Sequence, residues 1–109
     1  MKYPRRGEVW LIDLGMTAKV RPCVAISVPI ADEDRAIVTL VPRTTSTRGT
    51  KFEVPVPVPF LKPGAFDAQG LVTVPVSRAL RLLGTLDELQ MRTVEAAVCK
   101  WLGLPCAPL

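Results

Sequence analysis

Eleven prolines and seven glycines punctuate this chain of 109 residues. Proline cannot continue a helix and glycine weakens one. Long helices therefore have little room, and short strands joined by tight turns are favoured. Pro55 and Pro57 alternate inside the strand-like run Phe52 to Val58, which marks it as an edge strand with its proline nitrogens outward. At this length the expectation is a single domain, residues 1–109, with one modest core. Hydrophobic residues make up 49% of the chain, too many for a disordered one. A small domain this apolar commonly buries part of its surface against a second copy, so an oligomer is expected.

Apolar runs between the breakers read as strands. Glu8 to Leu14 is bounded by Gly7 and Gly15. Pro22 to Val28 is nearly continuous, as in a strand buried on both faces. Ala36 to Val41, Phe52 to Val58 and Leu71 to Val76 complete a set of five. Pro29 to Arg35, Arg43 to Lys51 and Leu61 to Gln69 read as loops, and Ser77 to Leu83 fits either a helical turn or a further strand. The sequence Thr85-Leu86-Asp87-Glu88 matches a capping box. From there Leu86, Leu89, Val94, Ala97, Val98, Trp101 and Leu102 fall on one helical face, and Gly103 and Pro105 end the helix. The expected fold is mainly β with a C-terminal α-helix, a strongly bent antiparallel sheet or small barrel.

The inventory of chemistry is narrow. The chain has no histidine, hence no imidazole acid–base pair, no Ser-His-Asp triad and no histidine metal ligand. It has no glycine-rich phosphate loop and no acidic spacing that marks a metal site, so no metal or cofactor is expected. Cys23, Cys99 and Cys106 are odd in number and lack close spacing, which argues against a disulfide framework. Cys23 and Cys99 read as small buried hydrophobes, and reduced thiols fit a cytoplasmic protein. No segment is long and apolar enough to span a membrane.

What remains is arginines, hydroxyls and backbone amides, which suit phosphoryl chemistry. Net charge is +4, a mild bias toward polyanions. RNA brings its own nucleophile, the 2′-hydroxyl. A ribonuclease then needs only to align that group, neutralise the developing dianion and protonate the leaving oxygen. Arg21 precedes proline and is thereby biased to extended geometry at a strand entrance, and its planar fork suits phosphate. Thr44 supplies a hydroxyl near a strand exit. Each also has a plainer reading, a surface arginine and a threonine bonding its own backbone. Arg43, Arg48 and Lys51 either hold a flanking phosphate or form a solvated loop. Trp10 either stacks on a base or belongs to the core.

These segments occur in a recognisable order: Arg6-Gly7-Glu8-Val9-Trp10, Arg21-Pro22 before an apolar strand, Val41-Pro42-Arg43-Thr44-Thr45, Phe52-Glu53-Val54, and Leu83-Gly84-Thr85-Leu86 before the helix. The ordered set resembles the MazF/PemK family of bacterial endoribonuclease toxins along nearly the whole chain. The resemblance implies an SH3-like barrel of the type shared with the gyrase poison CcdB, and a homodimer. It implies sequence-selective, metal-independent cleavage of single-stranded RNA (mRNA), leaving a 2′,3′-cyclic phosphate and a 5′-hydroxyl. It further implies a cognate antitoxin as partner. Arg21 falls on the family's catalytic arginine and Thr44 on its catalytic threonine. Lys19, Arg43, Thr45, Arg48, Lys51, Thr17 and Arg78 become candidates for RNA binding.

The sequence departs from the family at two places. The loop Gly15 to Val20 is short and lacks the Ser-Glu-Gln run that often precedes Arg-Pro, and Thr73-Val74-Pro75 stands where some relatives carry Arg-x-Asp. Two alternatives stay open: an RNA-binding barrel with impaired turnover, and a CcdB-like toxin acting on a protein such as DNA gyrase through the apolar tail Trp101 to Leu104.

Overall fold

The protein was described through a computed structural model, in which residues 3–15 and 19–106 are defined. Seven strands and one helix follow in order: β1 Glu8–Asp13, β2 Val20–Ala25, β3 Ile37–Thr44, β4 Glu53–Val54, β5 Ala65–Asp67, β6 Val72–Pro75, β7 Ala79–Thr85 and α1 Glu88–Leu102. Every pairing is antiparallel. The hydrogen-bonded order is β4-β5-β3-β2-β1-β7, with β6 joined to β3 as well. The sheet is strongly bent and barrel-like without closing, with the helix at its C-terminal end, as the sequence led us to expect.

The bend is generated at β3. Its first half pairs with β6 through Ile37↔Pro75 to Leu40↔Val72, and its last two residues pair with β5 through Arg43↔Phe66 and Thr44↔Ala65. On its other edge Leu40, Val41 and Pro42 pair with Ala25, Val24 and Cys23 of β2. The strand thus runs three residues beyond the Val41 boundary set by its apolar pattern. Pro42 is tolerated there, and Arg43 is drawn into the sheet by its pairing with Phe66. The expected strand Phe52 to Val58 shrinks to the two residues of β4, because Pro55 and Pro57 end the ladder. Part of the supposed loop Leu61 to Gln69 forms β5, too short to carry a periodic signal, yet its Phe66 is fully buried. The undecided stretch Ser77 to Leu83 resolves into a 3₁₀ turn at Val76–Arg78 followed by β7.

Residues alternate across β1 and β2, and each face feeds its own apolar cluster. Val9, Val24, Val41 and Phe66 pack with Met91, Val94, Ala97 and Val98 of α1. Trp10, Ile12, Cys23, Ala25, Val38 and Leu40 form the second cluster, with Val76 over it. Trp10 is core, with its indole N–H donating to Glu8 Oε1 at 3.0 Å.

The helix begins two residues later than its apparent capping box. Thr85 remains in β7, paired with Glu8. Leu86 is buried and donates its N–H to Gly7 O at 2.9 Å. Asp87 is the N-cap: its carboxylate accepts from Gln90 N at 2.8 Å, and Gln90 Oε1 accepts from Asp87 N at 2.9 Å. The apolar stripe is also narrower than the spacing suggested. Leu89 is exposed at 67%, Trp101 at 43% and Leu102 at 47%; Trp101 meets the edge of Phe52, 5.3 Å between ring centroids.

The cysteines correct a further expectation. Cys99 and Cys106 are joined by a disulfide, with Cα atoms 5.9 Å apart. Gly103 takes a left-handed conformation (φ 69°) that turns the chain back along the last helical turn. That reversal brings together two residues whose sequence separation alone gives no such hint. Cys23 is the free cysteine among the described residues, and it is buried.

Asp87→Ala should lower stability by about 1 kcal/mol, the usual worth of an N-cap, whereas Thr85→Ala should cost well under half of that. Urea unfolding of both variants checks the order; the reverse order would return the cap to Thr85.

Candidate functional site

A groove of ≈ 470 Å³ opens between the start of β2, the exit of β3, the middle of β1 and β7, and the segment Phe60 to Lys62. Its lining includes Arg21 and Pro22 from β2, Arg43 and Thr44 from β3 with Thr45 and Ser46 beyond, Lys62 from the facing segment, and Leu11, Arg81 and Leu83 from β1 and β7. Arg21 and Thr44, far apart in sequence, thus line one cavity. Among the described residues the lining carries four cations and no carboxylate, thiol or imidazole.

The two key side chains owe their positions to strand ends. Arg21 is exposed and pairs through its backbone with Ile12, a fully buried residue. The thiol of Cys23 donates to Arg21 O at 3.5 Å. Thr44 is the last residue of β3 and is half-buried. Its hydroxyl oxygen accepts from Ser46 N at 3.1 Å, the local bond typical of threonine in a turn. That bond uses a lone pair and fixes the oxygen, while the hydroxyl hydrogen stays available for donation.

Arg43 plays a part that its charge did not suggest. It is 4% exposed, not part of a solvated loop. Its Nη1 donates to Val56 O at 3.0 Å and its Nη2 to Lys62 O at 3.1 Å, and the guanidinium lies 5.0 Å from the Phe66 ring centroid. Burial lowers its pKa, since a desolvated cation is disfavoured. Nε has no hydrogen-bond partner, and no ion pair to Arg43 occurs among the described residues. Arg43 ties the wall at Val56 to Lys62 onto β3 and leaves an unneutralised positive charge under the groove floor.

The remaining candidates scatter. Thr45 lines the groove and also a second cavity of ≈ 550 Å³ formed with Thr47, Thr50, Glu53 and Pro63. Arg48 borders that region; its N–H and that of Gly49 donate to the Glu53 carboxylate at 2.9 and 2.7 Å, which holds the loop in shape. Lys51 lies 5.3 Å from the Phe52 ring centroid. Lys19 is exposed, takes a left-handed backbone (φ 59°) and closes the β1–β2 turn by donating its N–H to Gly15 O at 2.7 Å. Arg78 pairs with Asp13 at 3.5 Å and is not among the groove residues. Thr17 lies outside the described residues. Sequence reasoning missed Lys62 and Arg81; an isolated lysine before proline and an arginine in an undecided stretch carry no local signal.

Gly64 controls the closeness of the wall. A Cβ there would run into the carbonyl oxygen of Thr44, so only glycine lets the segment lie against the end of β3. No cluster of three or more His, Cys, Asp or Glu side chains suited to a metal occurs among the described residues, and no helix among them is long and apolar enough to cross a membrane.

A family model for the PemK-like, MazF-like toxins of type II toxin–antitoxin systems matches residues 5–102. Among solved structures, an endoribonuclease from a mycobacterial species is similar at 25% identity, with a TM-score of 0.81 and 98% of each chain covered. An endoribonuclease in complex with its cognate antitoxin, also mycobacterial, is 26% identical at a TM-score of 0.81, covering 95% of this chain and 99% of that one. The toxin MazF-mt6 of Mycobacterium tuberculosis is 27% identical at a TM-score of 0.79, covering 91% and 99%.

Gly64→Ala should destabilise the fold by about 1–3 kcal/mol, the range for forced overpacking, as read by urea unfolding; an unchanged midpoint would mean that the wall is not held against Thr44. Burial pushes the Cys23 thiol up to about 12, with the Arg21 charge opposing. The folded protein should therefore resist iodoacetamide at pH 8 and react once unfolded. Because the unfolded thiol ionises near its ordinary 9.0 and the folded one near 12, this group's contribution to stability should fall as pH rises through that window.

Proposed function

We propose, since this chain belongs to the PemK-like, MazF-like family of type II toxins, that it is an endoribonuclease toxin cleaving single-stranded RNA by attack of the 2′-hydroxyl on the adjacent phosphorus. The observation that carries this reading is the shared groove: Arg21 and Thr44 line one cavity with two further exposed cations and no acidic side chain. Such a lining attracts a phosphodiester backbone and repels no part of it.

In the reaction the 2′-oxygen forms a bond to phosphorus while the bond to the 5′-oxygen breaks. The Arg21 guanidinium faces the non-bridging oxygens and stabilises the dianionic phosphorane. The Thr44 hydroxyl, its oxygen fixed by Ser46 N, donates to the same phosphate and aligns it for in-line displacement. The 2′-hydroxyl proton leaves to water, because the described lining of the groove holds no carboxylate or imidazole. A hydrogen bond from Arg21 assists protonation of the departing 5′-oxygen. The products are a 2′,3′-cyclic phosphate and a 5′-hydroxyl, and no metal takes part.

We read residues 1–109 as one toxin domain working as a homodimer in the cytoplasm, held inactive by a cognate antitoxin. An antitoxin complex is known for the mycobacterial endoribonuclease similar to this chain. With Cys99 and Cys106 bonded, thiol content no longer supports the cytoplasmic location, which rests on where mRNA is found. The base preference of the groove is the chain's own, since the β1–β2 loop is short.

Arg21→Ala and Thr44→Val should each keep the fold and lose roughly 10²–10³-fold in cleavage rate, measured on single-stranded RNA in the presence of chelator. Parent-like cleavage by Arg21→Ala would overturn the assignment. A growth defect that survives Arg21→Ala but vanishes on removing the exposed tail after Trp101 would favour a protein target instead.

A further inference from the structure

The groove holds more positive charge than one phosphate needs. Arg81 sits on β7, exposed, in register with Leu11, which is itself in register with Pro22. Directly paired residues project from the same face of a sheet, so Pro22, Leu11 and Arg81 form one row across β2, β1 and β7. Leu83, at the register shift between Leu82 and Gly84, lines the groove with them. Arg21 is in register with Ile12 and so belongs to the other face of the sheet; it joins the row only at the β2 end, where Arg21 and Arg81 line the same cavity, their strands two spacings, about 10 Å, apart. Cations so separated address successive phosphates of one strand more readily than a single phosphate.

The surroundings favour an anion at that point. Among the described residues no carboxylate lines the groove, and Lys62 lines it from the segment Phe60 to Lys62. Beneath lies the Arg43 guanidinium, whose two amino groups are bonded to neutral carbonyls. Its charge is therefore not cancelled within the fold. A positive groove over a low-dielectric floor concentrates field at its mouth. Neither Arg81 nor Lys62 is needed for the chemistry assigned to Arg21 and Thr44.

We propose that Arg81, with Lys62 on the facing wall, forms a second phosphate subsite of this groove, holding the backbone phosphate next to the scissile one. The proposal rests on the RNA-cleaving reading and makes Arg81 a positioning residue. It sets the register of the strand and takes no part in bond making.

The test uses the full chain and an uncleavable single-stranded 2′-O-methyl RNA oligonucleotide, with binding followed by fluorescence anisotropy over a salt series. For Arg81→Ala the slope of log K against log salt should become shallower by about 0.7, the release expected for one lost phosphate contact on a single strand. Arg81→Lys should restore the slope. Arg35→Ala, an equally exposed arginine outside the groove, should leave it unchanged. In cleavage of ordinary RNA, Arg81→Ala should raise KM while kcat stays within about twofold, as expected when only uniform binding is lost. An unchanged slope in Arg81→Ala, or an equal change in Arg35→Ala, would overturn the subsite. So would a fall in kcat with unchanged affinity, which would make Arg81 part of the chemistry. If the parent binds the oligonucleotide but cleaves no RNA, the slope still decides the subsite and the catalytic reading alone fails; if the parent does not bind, both fail.

Discussion

Strand β3 is hydrogen-bonded to three other strands, and the groove is referenced to it throughout. Its first edge aligns β2, which delivers Arg21. Its last two residues align β5, and Gly64, just before β5, brings the facing wall against Thr44. Arg43 then bonds that wall through Val56 O and Lys62 O. The strand is held on both edges through Pro42, so the backbone of Thr44 is placed by the sheet, while its hydroxyl is oriented by the bond from Ser46 N. Functional groups on such supports keep their geometry better than groups on mobile segments.

The same arrangement joins stability to electrostatics. Burying a guanidinium costs free energy unless its donors are satisfied and its charge is compensated. Arg43 satisfies two nitrogens with carbonyls and lies against the Phe66 ring, yet Nε and the net charge are left without a protein partner. In the proposed reading an anion in the groove would offset that net charge, although it would not reach the buried Nε.

Much of this was legible in the sequence, for identifiable reasons. Glu8 to Leu14 was legible from its β-branched and aromatic residues between Gly7 and Gly15, and the central part of the Pro22 run from its nearly unbroken apolar composition. Arg21 and Thr44 could be named since each adjoins such a run and the order of segments matched a known family. The misreadings share one cause: contacts between residues remote in sequence. Arg43 looks like a loop cation until Phe66 pairs with it. Thr85 looks like an N-cap until Glu8 pairs with it, leaving Asp87 to cap the helix. Trp101 and Leu102 have helical spacing, but they stay largely exposed in the fold. Cys99 and Cys106 meet only because Gly103 reverses the chain. Arg81 and Lys62 acquire meaning only from the cavity they share.

The central claim is that Arg21 and Thr44 act on one and the same phosphate. A double-mutant cycle on the cleavage rate of single-stranded RNA tests it most directly, using Arg21→Ala, Thr44→Val and the combined variant. Groups that act as a unit are strongly non-additive. The combined variant should therefore cleave little more slowly than the weaker single variant. A loss in the combined variant equal to the product of the two separate losses would mean that the two side chains act independently, and would contradict the account.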